Sequence, residues 1–462
     1  MAAPRSVGRR SEERRQANEG LPPSVRLPMP VQTLWFWGLP LHYLQWCRHR
    51  YGSRFTLRAI GHPPLVFLSD PTDIRTMFAA PADVLAPGEG GAAIMPIVGD
   101  RSFMLLDGDE HLAGRRAILP FYRSGFVQRH EQLVRDLVER EVASWPREVP
   151  IALHPRLRAL ALEIVLHTIF ASAPEDRLLL LRDRLLAMFS INAGPLLSLA
   201  TLRRGPGALI WSRFLRHRAE VDELIGELVR ARRGEGGGES RNGDHDEGEG
   251  GDDVLAWLLS ARGVDGAPLG AQDLRDDVMS VVLAGHETTA SELAWTFQLL
   301  AHHPSAQQRL IGELASGSGD AYLMATIHEA LRHRPVFLFT IPRAVLAPMR
   351  IGERIYRPPA HLLGCIYLMH HDPARYRRPE QFRPERFLNE EVLPEAPGWI
   401  PWGGGRKRCP GLHMATLEMQ VVLRTVFAQA SISPARRRLE RARWRSVVVT
   451  PHHGSRVVLH PR

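Results

Sequence analysis

The chain is 462 residues long and 44% of it is hydrophobic, enough to bury a large core. Its 59 Lys and Arg against 50 Asp and Glu leave a formal charge of +9, scattered along the sequence instead of gathered with aromatics, which argues against a nucleic-acid-binding surface. The three cysteines, Cys47, Cys365 and Cys409, are too widely spaced for a disulfide framework or a zinc motif and fit a reducing, cytoplasmic setting.

Residues 1–24 open on mixed arginine and glutamate with no apolar run, which predicts a disordered N-terminal tail and no secretory signal. Residues 31–41, with Trp35, Phe36 and Trp37, are about half the ~20 residues a spanning helix needs, so no transmembrane anchor is expected. That stretch reads as a packed entry segment, with a shallow membrane contact as the alternative. Residues 54–60 and 65–69 are strand-like and joined by Gly61-His62-Pro63-Pro64.

Apolar residues then recur at three- and four-residue spacing over 129–145, 156–171, 176–190 and 209–232. The segment 234–253 holds eight glycines and eight acids in its twenty residues, which predicts a disordered surface loop. Helical spacing resumes over 273–303, 304–315 and 320–333, and further strand-like runs lie at 349–356, 447–449 and 456–460. The fold class is therefore mainly α with small β-sheets. Cys47 and Cys365 sit among apolar neighbours and read as inert packing residues.

The long helix carries Leu283-Ala284-Gly285-His286-Glu287-Thr288-Thr289-Ala290 at its middle. Glycine there costs about 1 kcal/mol relative to alanine, and threonine hydroxyls can bond to carbonyls one turn back and open the helix. A kinked core helix would account for this pattern. So would a site where Ala284 and Gly285 let a flat ring approach while Glu287 and Thr288 relay protons in a dry pocket. His286 has no assigned role.

Further on, Pro401-Trp402-Gly403-Gly404-Gly405-Arg406-Lys407-Arg408-Cys409-Pro410-Gly411 precedes a helical pattern over 412–428. Three glycines, three cations and a helix start all favour a thiolate at Cys409, a ligand suited to haem iron.

This string resembles the haem-ligand loop of the cytochromes P450, with Trp402, Gly403, Gly405, Lys407, Cys409 and Gly411 on the motif positions. Trp402 stands where that family mostly has Phe, and Lys407 where Arg is usual, without the bidentate fork of arginine. Residues 283–290 are similar to its oxygen-binding helix. Glu329-Ala330-Leu331-Arg332 together with Arg386 resembles its structural triad. His111 and Arg115, at i and i+4, and Arg343 after Ile341-Pro342, match its propionate-holding positions.

The resemblance implies a bacterial-type soluble haem-thiolate monooxygenase with a single haem domain over 25–462. Haem b would be ligated by Cys409, with His111, Arg115, Arg343 and Lys407 at its propionates and Ala284 against the ring. Thr288 would stand at the oxygen-binding position, and Glu287 would pass protons inward. Such an enzyme, working as a monomer, would insert one atom of O2 into a hydrophobic substrate: a terpenoid, fatty acyl chain, steroid or polyketide of secondary metabolism. Electrons would come from NAD(P)H through a separate ferredoxin reductase and ferredoxin. The apolar residues 278–282 and 336–341 are expected to face the substrate, with 84–103 and 186–210 over the entrance. The competing readings are an isomerase or peroxide-using oxygenase on the same haem, and a non-catalytic haem sensor.

Overall fold

The computed structural model describes residues 20–191, 208–235, 253–388 and 397–462. Residues 1–19, 192–207 and 236–252, and with them most of the expected N-terminal tail, acidic loop and part of the entrance, lie outside the described residues. The larger helices are α1 (Met29–Gly38), α2 (Pro40–Tyr51), α3 (Gly108–Ile118), α4 (Glu131–Ala143), α5 (Leu153–Ile169) and α6 (Glu175–Ile191). They continue as α7 (Ala208–Glu235), α8 (Val254–Ser260), α9 (Ala271–His302), α10 (Pro304–Ser316), α11 (Ala321–His333) and α12 (Leu412–Gln429).

The strands are short. A five-stranded sheet runs β1 (Arg54–Leu57), β2 (Leu65–Leu68), β8 (His361–Gly364), β5 (Arg343–Val345) and β3 (Leu85–Ala86), with β2 and β8 parallel and the other pairs antiparallel. A second sheet is β4 (Pro150–Ala152), β12 (Arg456–Pro461) and β9 (Ala430–Pro434). Two hairpins complete the set: β6 (Met349–Ile351) with β7 (Arg354–Tyr356), and β10 (Ala442–Arg445) with β11 (Val448–Pro451).

Two expectations are corrected here. The run 349–356 is a hairpin and not one strand, because Gly352 takes a left-handed φ of +58° and reverses the chain. Residues 20–24 do not belong to a loose tail. Ser24 bridges Thr56, and the carbonyls of Pro22 and Pro23 accept the Thr56 hydroxyl and amide, so this stretch is tied to β1.

α9 positions everything that follows. Its C-terminal half, from Ala290 to Ala301, lies in a core built with α4, α5, α11 and α12. Its N-terminal half, from Leu274 to Val282, lies in a second core with α5, α6, α7 and α8. Val278 and Val282 are fully buried in that second core, so they pack the helix bundle instead of facing an open pocket. The middle of α9 is the seam between the two cores. Among the described residues no helix is long and apolar enough to cross a membrane.

One buried acid in this region has a measurable consequence. Asp277 accepts the Phe103 amide at 3.0 Å, and burial, opposed by that amide and helped by Asp273 and Asp276, pushes its carboxyl up to about 7. A carboxyl raised in the fold stabilises below its unfolded pKa and loses that contribution as pH rises toward the folded value. Asp277→Asn keeps an acceptor for Phe103 and removes the titration. The stability of this variant relative to wild type should therefore grow between pH 4 and 7 by up to about 1.4 kcal/mol per pH unit. Denaturation curves that stay parallel across that range would refute the assignment.

Candidate active site

The cysteine loop is shaped by its glycines. Gly403 and Gly405 have φ of +67° and +66°, and a Cβ on Gly404 would run into the ring of Phe78. The Cys409 amide donates to the Trp402 carbonyl at 2.9 Å, closing the loop just before α12 begins at Leu412. Burial pushes the Cys409 thiol up, while the Gly411 amide and the guanidinium groups of Arg115 and Arg408 pull it back. Burial is the larger effect, so the net direction is upward, opposite to what the glycines, cations and helix start suggest from sequence. Cys47 and Cys365 contrast with it: both are fully buried, and burial pushes each up to about 12.

Around the loop lies a concentration of cations. His111, Arg343, Arg406 and Lys407 line one cleft together with Phe78 and Asp107. Lys407 Nζ donates to the carbonyls of Leu106 at 2.6 Å and Met104 at 3.0 Å, and lies 3.1 Å from His111 Nδ1. His111 faces two carbonyls, Phe103 O at 2.8 Å and Arg406 O at 3.2 Å, of which a neutral ring can serve one. Arg343 sits over the Phe78 ring, and its Nε has no hydrogen-bond partner.

Charge is disfavoured on four of the basic groups around the loop, Lys407, Arg343, His111 and Arg115. Burial pulls Lys407 down to about 8, Asp107 opposing and Arg343 and Arg115 adding to the fall. Burial likewise lowers Arg343 to about 10, and it lowers His111 and Arg115. The Asp107 carboxylate is itself occupied by the amides of Gly88 and Glu89. The cluster is short of anions.

On α9, Ala284 is exposed in the middle of an otherwise buried helix, and Thr288 one turn on is half-exposed. The Thr288 hydroxyl donates to the Ala284 carbonyl at 2.6 Å, yet the helix stays unbroken. Gly285 does not serve the open side. A Cβ there would come within 2.5 Å of Val165 Cγ2 on α5, so this glycine lets two helices approach. His286, left unassigned from sequence, stacks on Phe189 at 4.4 Å and anchors α6.

Glu287 turns away from water into an ion cluster. Its carboxylate accepts from Arg158 Nε at 2.7 Å and pairs with Arg445 Nε at 2.9 Å, with His154 Nε2 at 3.5 Å. Burial alone would raise its pKa, but His154, Arg158, His286 and Arg445 hold it well below the usual carboxylate range. It is an ionised acceptor here and has no proton to give. Glu292, one turn beyond Thr288, is the opposite case: it is 2% exposed, and burial pushes its carboxyl well above the usual range, with only the Val336 backbone opposing.

Sequence reasoning missed Arg158, Arg445 and Glu292. Arg158 and Glu292 left a usable signal, a charged residue on the apolar face of a helix, whereas Arg445 arrives from the β10–β11 hairpin with no local mark.

Glu329, Arg332 and Arg386 have no exposed surface. Glu329 accepts from Arg332 Nε at 2.7 Å, Arg386 Nε at 3.0 Å and the Arg383 amide at 2.8 Å. Arg332 also donates to His370 O at 2.9 Å, and His370 Nε2 accepts the Ile400 amide at 3.0 Å, which carries the connection to the threshold of the cysteine loop. Glu329→Gln leaves two buried guanidinium groups without their anion, and is expected to cost about 3–5 kcal/mol. Urea denaturation measures it, and a loss under 1 kcal/mol would show that the triad is not an anchor.

The sequence profile described as Cytochrome P450 matches residues 21–456. The chain belongs to the cytochrome P450 family. Cytochrome P450 135B1 of Mycobacterium tuberculosis is 32% identical over 448 residues, covering 95% of this chain and 91% of that one. Cytochrome P450 138 of Mycobacterium bovis is 31% identical over 443 residues, covering 96% and 97%.

Among solved P450 structures, a cyanobacterial CYP120A1 with retinoic acid bound superposes with a TM-score of 0.79 at 20% identity, covering 96% of this chain and 99% of that one. The haem domain of cytochrome P450DA gives 0.77, also at 20% identity, covering 96% and 98%. These two likenesses carry the fold: mainly α, with small sheets.

P450 proteins bind haem b through a cysteine thiolate and, as a family, are monooxygenases. The residues present fit that group. A haem brings two propionates, which suit a buried cation cluster short of anions and the unpartnered Nε of Arg343. It also brings an apolar face, which suits Ala284, otherwise stranded in the open at the centre of the fold.

Proposed function

We propose that Cys409 would ligate the haem iron, that His111, Arg115, Arg343 and Lys407 would hold the propionates, and that Ala284 would leave room for the ring. Bound haem b supplies dioxygen binding and reductive O–O cleavage, helped by electron donation from the thiolate. The observation that carries the reading is the exposed Ala284 and half-exposed Thr288 at the seam of two cores, together with a cleft whose cations His111, Arg343 and Lys407 are short of anions.

Thr288 Oγ1 is the group that presents a proton to the pocket, by swinging its O–H away from the Ala284 carbonyl. Glu287 resupplies it. Because Arg158 and Arg445 keep Glu287 ionised, it must part from them and take up a proton from the His154 side before passing it inward. The clamp therefore gates the relay.

The substrate is hydrophobic: a terpenoid, fatty acyl chain, steroid or polyketide. Support comes from 336–341, where Val336, Phe337, Phe339 and Ile341 are partly exposed while Leu338 and Thr340 are buried. Electrons reach the haem from NAD(P)H through a reductase and an acidic ferredoxin docked on exposed Arg406 and Arg408. A hydrophobic library screened for the ferric low-spin to high-spin shift, followed by NAD(P)H consumption with a ferredoxin pair, tests the reading. Turnover with peroxide alone would favour a peroxide-using enzyme. Absence of substrate-dependent consumption across the library would favour a sensor, and a reduction rate indifferent to salt would remove the docking surface.

A further inference from the structure

α1 is apolar on its outer face as well as its inner one. Gln32 turns inward: it is 2% exposed and donates to the carbonyls of Val25 and Leu27, at 3.0 and 2.7 Å. Phe36 packs inward, but Met29 is 42%, Val31 44% and Leu34 62% exposed, and Leu39 just beyond the helix 42%. Ile60, 58% exposed, joins the same surface, since its amide donates to Thr33 Oγ1 at 3.3 Å. Single exposed apolar residues are ordinary, but a contiguous group of five marks a surface that meets something.

The charge around the patch says what it meets. From Leu21 to Ser69 the sequence contains no Asp or Glu, but five arginines and three histidines. Arg48 and Arg54 are taken by Asp372 and Asp73. Arg26 and Arg50 are exposed and form no ion pair among the described residues. They border an aromatic run in which Trp35 packs on Trp46 and Trp46 on Tyr51, and the Tyr51 hydroxyl accepts the Arg26 amide at 3.0 Å. Apolar side chains bordered by tryptophan, tyrosine and arginine, on a stretch of chain with no acid of its own, match the chemistry of an anionic lipid headgroup layer.

We propose that this face rests on the surface of an anionic phospholipid bilayer. Val31, Leu34, Leu39 and Ile60 enter the headgroup region, and Arg26 and Arg50 meet phosphates. The placement connects to the pocket. Phe36, on the inner side of α1, stacks on Phe339 with ring centroids 6.1 Å apart, so the wall at 336–341 has its back to the docked helix. A bilayer-dissolved substrate is then held next to the fold that receives it.

The test is co-sedimentation of the full-length holoprotein with phosphatidylcholine vesicles, with and without about 30% phosphatidylglycerol. Wild type should pellet with the anionic vesicles, weakly with the neutral ones, and less as salt rises. Leu34→Asp and Ile60→Asp should each cut binding about tenfold or more, and Arg26→Gln with Arg50→Gln should erase the preference for anionic lipid. Both apolar positions are exposed, so an unchanged haem spectrum and melting temperature will show that the variants fold. Wild type that stays in the supernatant with both vesicles, or Leu34→Asp that binds as wild type does, overturns the proposal. So does a lipid-free dimer in sedimentation velocity that Leu34→Asp turns into monomer, because a second copy would then be what covers the patch.

Discussion

Replacing Cys409 with serine is expected to abolish the red-shifted Soret band of the reduced carbon monoxide complex, and with it all substrate-dependent turnover. That band would depend on a soft, electron-rich thiolate ligand; a serine oxygen is hard and stays protonated. The change is confined to one atom. The loop takes its shape from the left-handed Gly403 and Gly405 and from the Cys409 amide on Trp402, all of them backbone features that serine retains. Circular dichroism should therefore be unchanged. If the band survives in the variant, another residue ligates the iron and the assignment of the site collapses.

Glu287→Gln should show two separate losses. The first is stability: the amide leaves Arg158 and Arg445 as buried cations with no counter-ion, at a cost of about 3–5 kcal/mol. The second is turnover, which should fall by roughly 10²–10⁴ because an amide cannot exchange the proton that Thr288 passes on. The two are told apart with Arg445→Gln. That variant loosens one side of the cluster but keeps the carboxylate, so it should lose stability while holding most of the turnover. Folded Glu287→Gln protein that turns over within about threefold of wild type would leave Glu287 a structural anion and end its part in the relay.

The parts legible in sequence were those whose residues stand close together in the chain. The cysteine loop reads as a unit because its glycines, cations and helix start follow one another within eleven residues, 401–411. The long helix announced itself by period, and its observed ends at Ala271 and His302 differ from expectation by one or two residues.

What stayed hidden was set by partners far off in sequence. β3 is two residues long and exists because β5 lies beside it. α1 gives little periodic signal because it is apolar nearly all round, so its boundaries could not be read from pattern. Gly285 shows the same limit at one atom. A missing Cβ can be recognised in a sequence, but whether a prosthetic group or Val165 requires the space depends on which helix comes alongside.

α9 belongs to two cores at once, and this sets how the molecule breathes. Amides in its C-terminal half share the fate of α4, α11 and α12, and amides in its N-terminal half that of α6 and α7. Each core can open on its own, so hydrogen exchange along this one helix should fall into two rate classes, with the change of class near Ala284. Opening of the core on the α6 and α7 side is then expected to leave the C-terminal half of α9, and the core it shares with α12, in place.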